Sequence, residues 1–161
     1  MNIRFLIPWV ALLGLIAAGG CSKAYETTVV TNSYAPADFS AFHTFAHSGM
    51  KDRGLEIPAS DNKSPLRTRV KEMVNEQLVA KGLRQVGLEE SPDMLVHLVY
   101  GVYEAEKYRE SVLTVNLAES SQKKPVWRAV IRQMVGASLE KNFEMVQKGL
   151  AKAFKDYPQS K

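Results

Sequence analysis

The chain contains a single cysteine, Cys21, and it follows directly on Leu15-Ile16-Ala17-Ala18-Gly19-Gly20. Arg4 is the lone charge ahead of an apolar run from Phe5 to Ala18. A positive start, a short apolar stretch and small residues at a cleavage point describe a secretory signal peptide, which the mature protein loses. The run is shorter than the roughly 18 apolar residues that a spanning helix needs, and Pro8 interrupts it. Residues 1–20 are therefore read as signal, 21–25 as a tether and 26–161 as a single domain. A secreted domain with no second cysteine cannot be stapled by a disulfide. It must be held by burial of a core, which a domain of this size can supply.

Ala18-Gly19-Gly20-Cys21 resembles the bacterial lipobox, although Ala18 stands where Leu is commonest. The resemblance implies that the Cys21 thiol takes a diacylglyceryl group, that the peptide before it is cut, and that the new amine is acylated. Each buried acyl CH₂ contributes about 0.8 kcal/mol, so several chains together anchor stably. In the lipoprotein family an Asp after the cysteine retains the protein in the inner membrane. Ser22 stands there, so the resemblance implies a lipid-anchored protein of the outer membrane, facing the periplasm.

Hydrophobic content of 45% and charged content of 24% are those of an ordinary globular domain. The net charge of +4 includes Arg4, the only charge before Cys21, so the mature value is +4 − 1 = +3. That excess is too small to argue for a polyanion, and no nucleic-acid partner is expected; the basic residues read as scattered over solvated faces.

In chain order, the β-branched segment Glu26 to Asn32 reads as a strand and Tyr34 to Asp38 as a turn. Phe39, Phe42 and Phe45 pin a tight turn under the sheet, and about Phe42 to His47 forms a second strand. Ser48 to Lys63, with Gly49, Gly54, Pro58, Asp61 and Asn62, reads as a long surface loop. Ser64 as N-cap and Pro65 at the first helical position open a helix whose stripe is Leu66, Val70, Met73, Val74 and Leu78. Gly82 closes it with Leu83 packing back on Leu78. Leu83 to Leu88 reads as a short strand, and the acidic turn Glu89 to Asp93 leads into Met94 to Tyr103, apolar on both faces and so central in a sheet. Val112 to Leu117, a polar hairpin at Glu119 to Lys124, and Pro125 to Val135 follow; in the last, Trp127, Ala129 and Ile131 alternate with Arg128, Val130 and Arg132. Ser138 caps a second helix carrying Leu139, Phe143, Val146, Leu150, Phe154 and Tyr157, with Gly149 inside at a cost of roughly 1 kcal/mol. Two single-striped helices and this order predict a two-layer α+β domain, one mostly antiparallel β-sheet with two helices on one face.

Four segments then carry a family resemblance: Tyr34 to Phe45, Pro65 to Val70, Ala80 to Val86 with Pro92 to Val96, and Val126-Trp127-Arg128-Ala129. In order and spacing they resemble a bacterial lipoprotein family built on domain of unknown function 4136, across nearly the whole mature chain. The resemblance implies a β-rich sheet with two helices behind a lipidated N-terminus, and it supplies no activity. The chain departs at His47, where an aromatic is common, and at Ala118 to Ser121, where an Asp is common.

Chemistry is sparse. His43 and His47 on one strand lie about 13 Å apart, too far to share a metal. His97 interrupts an apolar strand as a satisfied histidine or a ligand, and Arg128 with Arg132 on one strand face can hold a carboxylate, a phosphate or a glycan. The serines lack a nucleophile elbow, and acidic turns are usually just solvated. No catalytic residue, metal or cofactor is expected. The chain reads as a non-enzymatic binding or scaffolding module with an envelope protein partner. The alternative is a small-ligand or lipid-binding module with a pocket between sheet and helices lined by Phe39, Phe42, Phe45 and Trp127. Metabolic labelling with palmitate tests the anchor: the wild-type chain is expected to take up label, and Cys21→Ala to take up none.

Overall fold

Period-two alternation builds the sheet and period-3.6 stripes place the helices over it. In the computed structural model the described residues are 27–34, 37–54, 65–104 and 106–158. Cys21, Ser64 and most of the expected 48–63 loop lie outside them. In chain order the elements are β1 (Thr28–Ser33), β2 (Thr44–Gly54), α1 (Pro65–Ala80), β3 (Arg84–Gln85), β4 (Met94–Glu104), β5 (Arg109–Glu119), β6 (Lys124–Met134) and α2 (Leu139–Lys155). Short 3-10 turns stand at Phe39–Ala41 and Leu88–Glu90.

The strands form one sheet in the order β1-β6-β5-β4-β2-β3. The β1–β6, β6–β5 and β5–β4 pairs are antiparallel, while β4–β2 and β2–β3 are parallel. The parallel pairing follows from α1, which carries the chain from β2 back over the sheet before β4, as a parallel connection requires. The layers are those expected, and β4 is central.

The second strand is longer than its sequence suggests. It runs on through Lys51, Asp52 and Arg53, paired with β4, where a surface loop was expected. Met50 packs against the core and Asp52 forms an ion pair with Arg67 of α1, so these two point toward the helices. Lys51 and Arg53 point to the other face, which carries no helix. Polar residues on both sides of a strand look like a loop to any pattern that counts apolar positions. A bulge between His47 and Gly49 makes Ser48 the extra residue, and its hydroxyl donates to the Val96 carbonyl at 3.2 Å.

Met94, Val96, Leu98 and Tyr100 of β4, Leu113, Val115 and Leu117 of β5, and Trp127, Ala129 and Ile131 of β6 fill the helix-covered side. Against them lie Val70, Met73, Val74 and Leu78 from α1, and Val146, Leu150, Ala153 and Phe154 from α2. Of the four residues expected to line a sheet–helix pocket, Phe45 and Trp127 are fully buried in the packed core, while Phe39 and Phe42 are partly buried against it.

The helix ends follow their sequence signals. Leu83 N–H donates to Leu78 O at 3.1 Å and Gly82 N–H to Val79 O at 2.9 Å, the paired bonds of a Schellman cap, with Gly82 at φ 89°. The Ser138 side chain accepts from Lys141 N–H at 3.2 Å. Gly149 has a packing reason: a Cβ there would stand 2.5 Å from Ile131 Cγ2 and 3.2 Å from Thr27 Cγ2. Ile131 is 1% exposed and held by its strand, so it cannot swing aside. Gly149→Ala therefore sets a helix-propensity gain of about 1 kcal/mol against overpacking of about 1–3 kcal/mol. A lower urea midpoint is expected; a higher one would show that β6 yields.

Candidate functional site

With α1 and α2 on one side, the opposite face of β1, β6, β5, β4 and β2 carries no helix among the described residues. Strand register sorts this bare face into rows. One row runs Gly49, His97, Asn116, Arg128, Asn32; the next runs Lys51, Val99, Thr114, Val130, Val30; a third runs Arg53, Gly101, Val112, Arg132, Thr28. The three sequence candidates His97, Arg128 and Arg132 therefore share one surface.

Arg128 Nε donates to Asn116 Oδ1 at 2.7 Å, and Asn116 Nδ2 donates to the His97 carbonyl at 3.4 Å. Arg132 makes a 3.6 Å ion pair with Glu110. The two arginines sit about 13 Å apart along β6, so they do not grip one carboxylate together. Partial burial holds the His97 imidazole below its ordinary value, and nearby Lys51 adds to the effect. About two strand spacings, roughly 10 Å, separate His97 from Arg128. The face offers separated cationic donors over β-branched side chains, suited to binding anions.

The other two histidines are not brought together. His43 is exposed, and His47 turns under α1, where its Nε2 meets Asn75 Oδ1 at 2.7 Å. Asn75 Nδ2 in turn donates to Gln85 Oε1 at 2.7 Å. That chain of bonds calls for a proton on His47 Nε2. Among the described residues no group of three or more His, Cys, Asp or Glu is placed to hold a metal ion.

A second region lies at the end of the sheet where β4 and β6 begin, and sequence reasoning missed it. Asp93, expected as part of a solvated acidic turn, is a clasp. Its Oδ2 accepts from His43 N–H at 2.9 Å, from Thr44 N–H at 2.9 Å and from the Thr44 hydroxyl at 2.8 Å, while Asp93 N–H donates to that hydroxyl's oxygen at 3.0 Å. Desolvation pushes the Asp93 carboxyl up, but the bonds from His43 and Thr44 outweigh it and hold it below the ordinary range. Ser120 N–H donates to Asp93 O at 2.9 Å and ties the β5–β6 hairpin to the same point.

Around this clasp lie two adjoining hollows of about 210 and 620 Å³ that share Ala41, Phe42 and Glu119. The larger is walled by Leu88, Pro92 and Leu95 on one side and by Ser120, Ser121 and Lys123 on the other. Ser91 and Lys123 both line it, and both hold left-handed backbone, φ 54° and 52°. Such residues cost about 1–3 kcal/mol each and cluster at binding sites. Leu88 is 54% exposed at the rim. The only trace of this trough in the sequence is a hairpin turn, Ser120 to Lys123, that has no glycine for its left-handed position.

The sequence matches the family model for a domain of unknown function (DUF4136) over residues 29–159. None of the curated proteins matches it. Among solved structures, a DUF4136 family protein from Bacteroides thetaiotaomicron is similar at 14% identity and TM-score 0.65, with 84% of this chain and 99% of that chain covered. A PDZ domain protein from Parabacteroides distasonis is similar at 14% identity and TM-score 0.59, over 85% of this chain and 38% of that one. The PelC dodecamer from Paraburkholderia phytofirmans gives 15% identity and TM-score 0.53, over 79% and 94%. At these identities the likeness establishes the fold alone.

His47 generates a pH prediction. Burial holds its imidazole below the ordinary value; the Asn75 bond opposes this and Lys71 adds to it. The unfolded chain titrates near 6.5, so on acidification protons go first to the unfolded state and stability falls below that pH. The urea midpoint is expected to drop between pH 7.5 and 5.5, and the drop to shrink in His47→Gln.

Proposed function

This chain belongs to the DUF4136 family, and on that premise we propose that it is a lipid-anchored envelope protein, a non-enzymatic binding or scaffolding module facing the periplasm. The lipobox-like Ala18-Gly19-Gly20-Cys21 supports the anchor, and Ser22 supports residence in the outer membrane. One observation of the fold carries the binding role. The tether enters at Thr28, at the end of the sheet opposite the trough, because β1 runs toward Ser33 and Ser33 pairs with Trp127 beside that trough. Thr28 stands beside Arg132, 132 − 124 = 8 residues along β6 from Lys124 at the trough, about 26 Å at strand rise. An acylated Cys21 thus leaves the strained, partly apolar trough open to a partner.

A small-ligand role is the second reading. It moves from the sheet–helix interface, which is filled, to this trough, whose larger hollow of about 620 Å³ is in the range of ligand sites. In-cell cross-linking of the tagged full chain separates the readings. A defined protein captured by the wild type and lost in both Cys21→Ala and Leu88→Glu supports the module. Capture indifferent to Leu88→Glu removes the trough from it. Turnover that depends on His97 or the acidic turns overturns the non-enzymatic role altogether.

A further inference from the structure

We propose that the bare face of the sheet seats on anionic phospholipid headgroups of the bilayer that holds Cys21, an inference that rests on the anchored reading above. Two independent features converge on it.

The first is charge. By strand register, and with Asp93 just ahead of β4, the face carries Lys51, Arg53, Arg84, Arg128 and Arg132 against Asp93 and Glu110, or +5 − 2 = +3. The mature chain from Cys21 onward also totals +3, the +4 of the full sequence less Arg4. The charge gathered on this one face thus equals the net charge of the whole mature chain. Basic residues that appear scattered along the sequence are gathered by the alternation of three strands, β2, β3 and β6.

The second is reach. Seven residue steps separate Cys21 from Thr28, which span at most about 25 Å. Thr28 is the Cα partner of Arg132 and lies in the row that also holds Arg53. An anchor of that length holds Arg132 within about 25 Å of the headgroup layer and leaves Arg128, about 13 Å further along β6, free to reach it when the face lies down. Val30, Val99, Val112 and Val130 lie between the charges, so the cationic groups are spread across the face rather than converging on one point, as an extended anionic surface requires. A second copy of the same face is disfavoured by like charge. Seated this way, the helices point away from the bilayer and the trough opens sideways.

The test uses the lipidated mature protein in vesicles of phosphatidylcholine alone or mixed with phosphatidylglycerol, read by the reactivity of lysines toward an amine-acylating reagent. Each basic residue at an anionic surface is worth about fivefold in binding. Lys51 reactivity is expected to fall about tenfold in the anionic vesicles and to recover as salt screens the contact, while Lys148, exposed on α2 in the other layer, stays reactive. Arg128→Gln with Arg132→Gln, both exposed positions whose folding circular dichroism verifies, is expected to remove most of the Lys51 protection. Equal labelling of Lys51 in both vesicles overturns the proposal and leaves the anchor standing. A Cys21→Ala chain that still co-sediments with anionic but not neutral vesicles supports the face even if the anchor fails. Protection of Lys51 by a soluble anionic polysaccharide, with none on vesicles, assigns the face to a glycan and overturns the proposal.

Discussion

The buried ring of Trp127 is the contact on which the rest of the domain leans. It stands on β6 and meets Phe154 of α2 with centroids 4.9 Å apart and Tyr157 just beyond α2 at 5.5 Å. Tyr157 passes the contact to Phe39 at 5.3 Å, and Phe39 to Phe42 at 5.9 Å. Pairs of this kind add about 0.5–1.5 kcal/mol each beyond the area they bury. Through them the end of α2, the sheet and the Phe39–Ala41 turn become one body. Asp38 locks that turn by accepting from Ser40 N–H at 3.0 Å. The trough is walled by the far ends of these same contacts, so its shape is inherited from the core.

Beneath α1 the logic is polar. The Asp52–Arg67 pair, with both side chains 15% exposed, and the His47–Asn75–Gln85 chain lie between β2 and the helix. Buried ion pairs add little net stability once desolvation is counted, but they penalise misplaced partners. They set where α1 sits along β2. Apolar contacts, being non-directional, would allow it to slide. Both helices bury apolar stripes, to which α2 adds aromatic packing and α1 adds these directional bonds.

Features that depend on local period were legible in the sequence. The stripes of both helices, the Gly82 and Ser138 caps, and the alternation in β6 all report on residues within one or two turns of each other. So was the grouping of Arg128 and Arg132 on one side. What escaped depends on residues far apart in the chain. Asp52 reads as a loop residue until Arg67 is placed over it. Asp93 reads as solvated until Thr44 arrives 49 positions earlier in the chain. Gly149 reads as a flaw until Ile131 is beneath it. The trough combines Phe42, Leu88 and Ser121, and no periodicity joins those three.

The pairing of β1 has a consequence for how the chain is made. Thr28 is the partner of Arg132, 132 − 28 = 104 positions later. At synthesis rates of about 5–20 residues per second, the segment Thr28 to Ser33 waits roughly 5–20 s for its neighbour to exist. That segment has no lysine and no proline, and two adjacent valines lie within it, so it lacks the guards that usually protect an unpaired strand. Among the described residues the sheet is completed by its first strand docking onto its last. Until then the growing chain exposes a sticky end to whatever else is nearby, and an escort that holds extended segments has a natural client here.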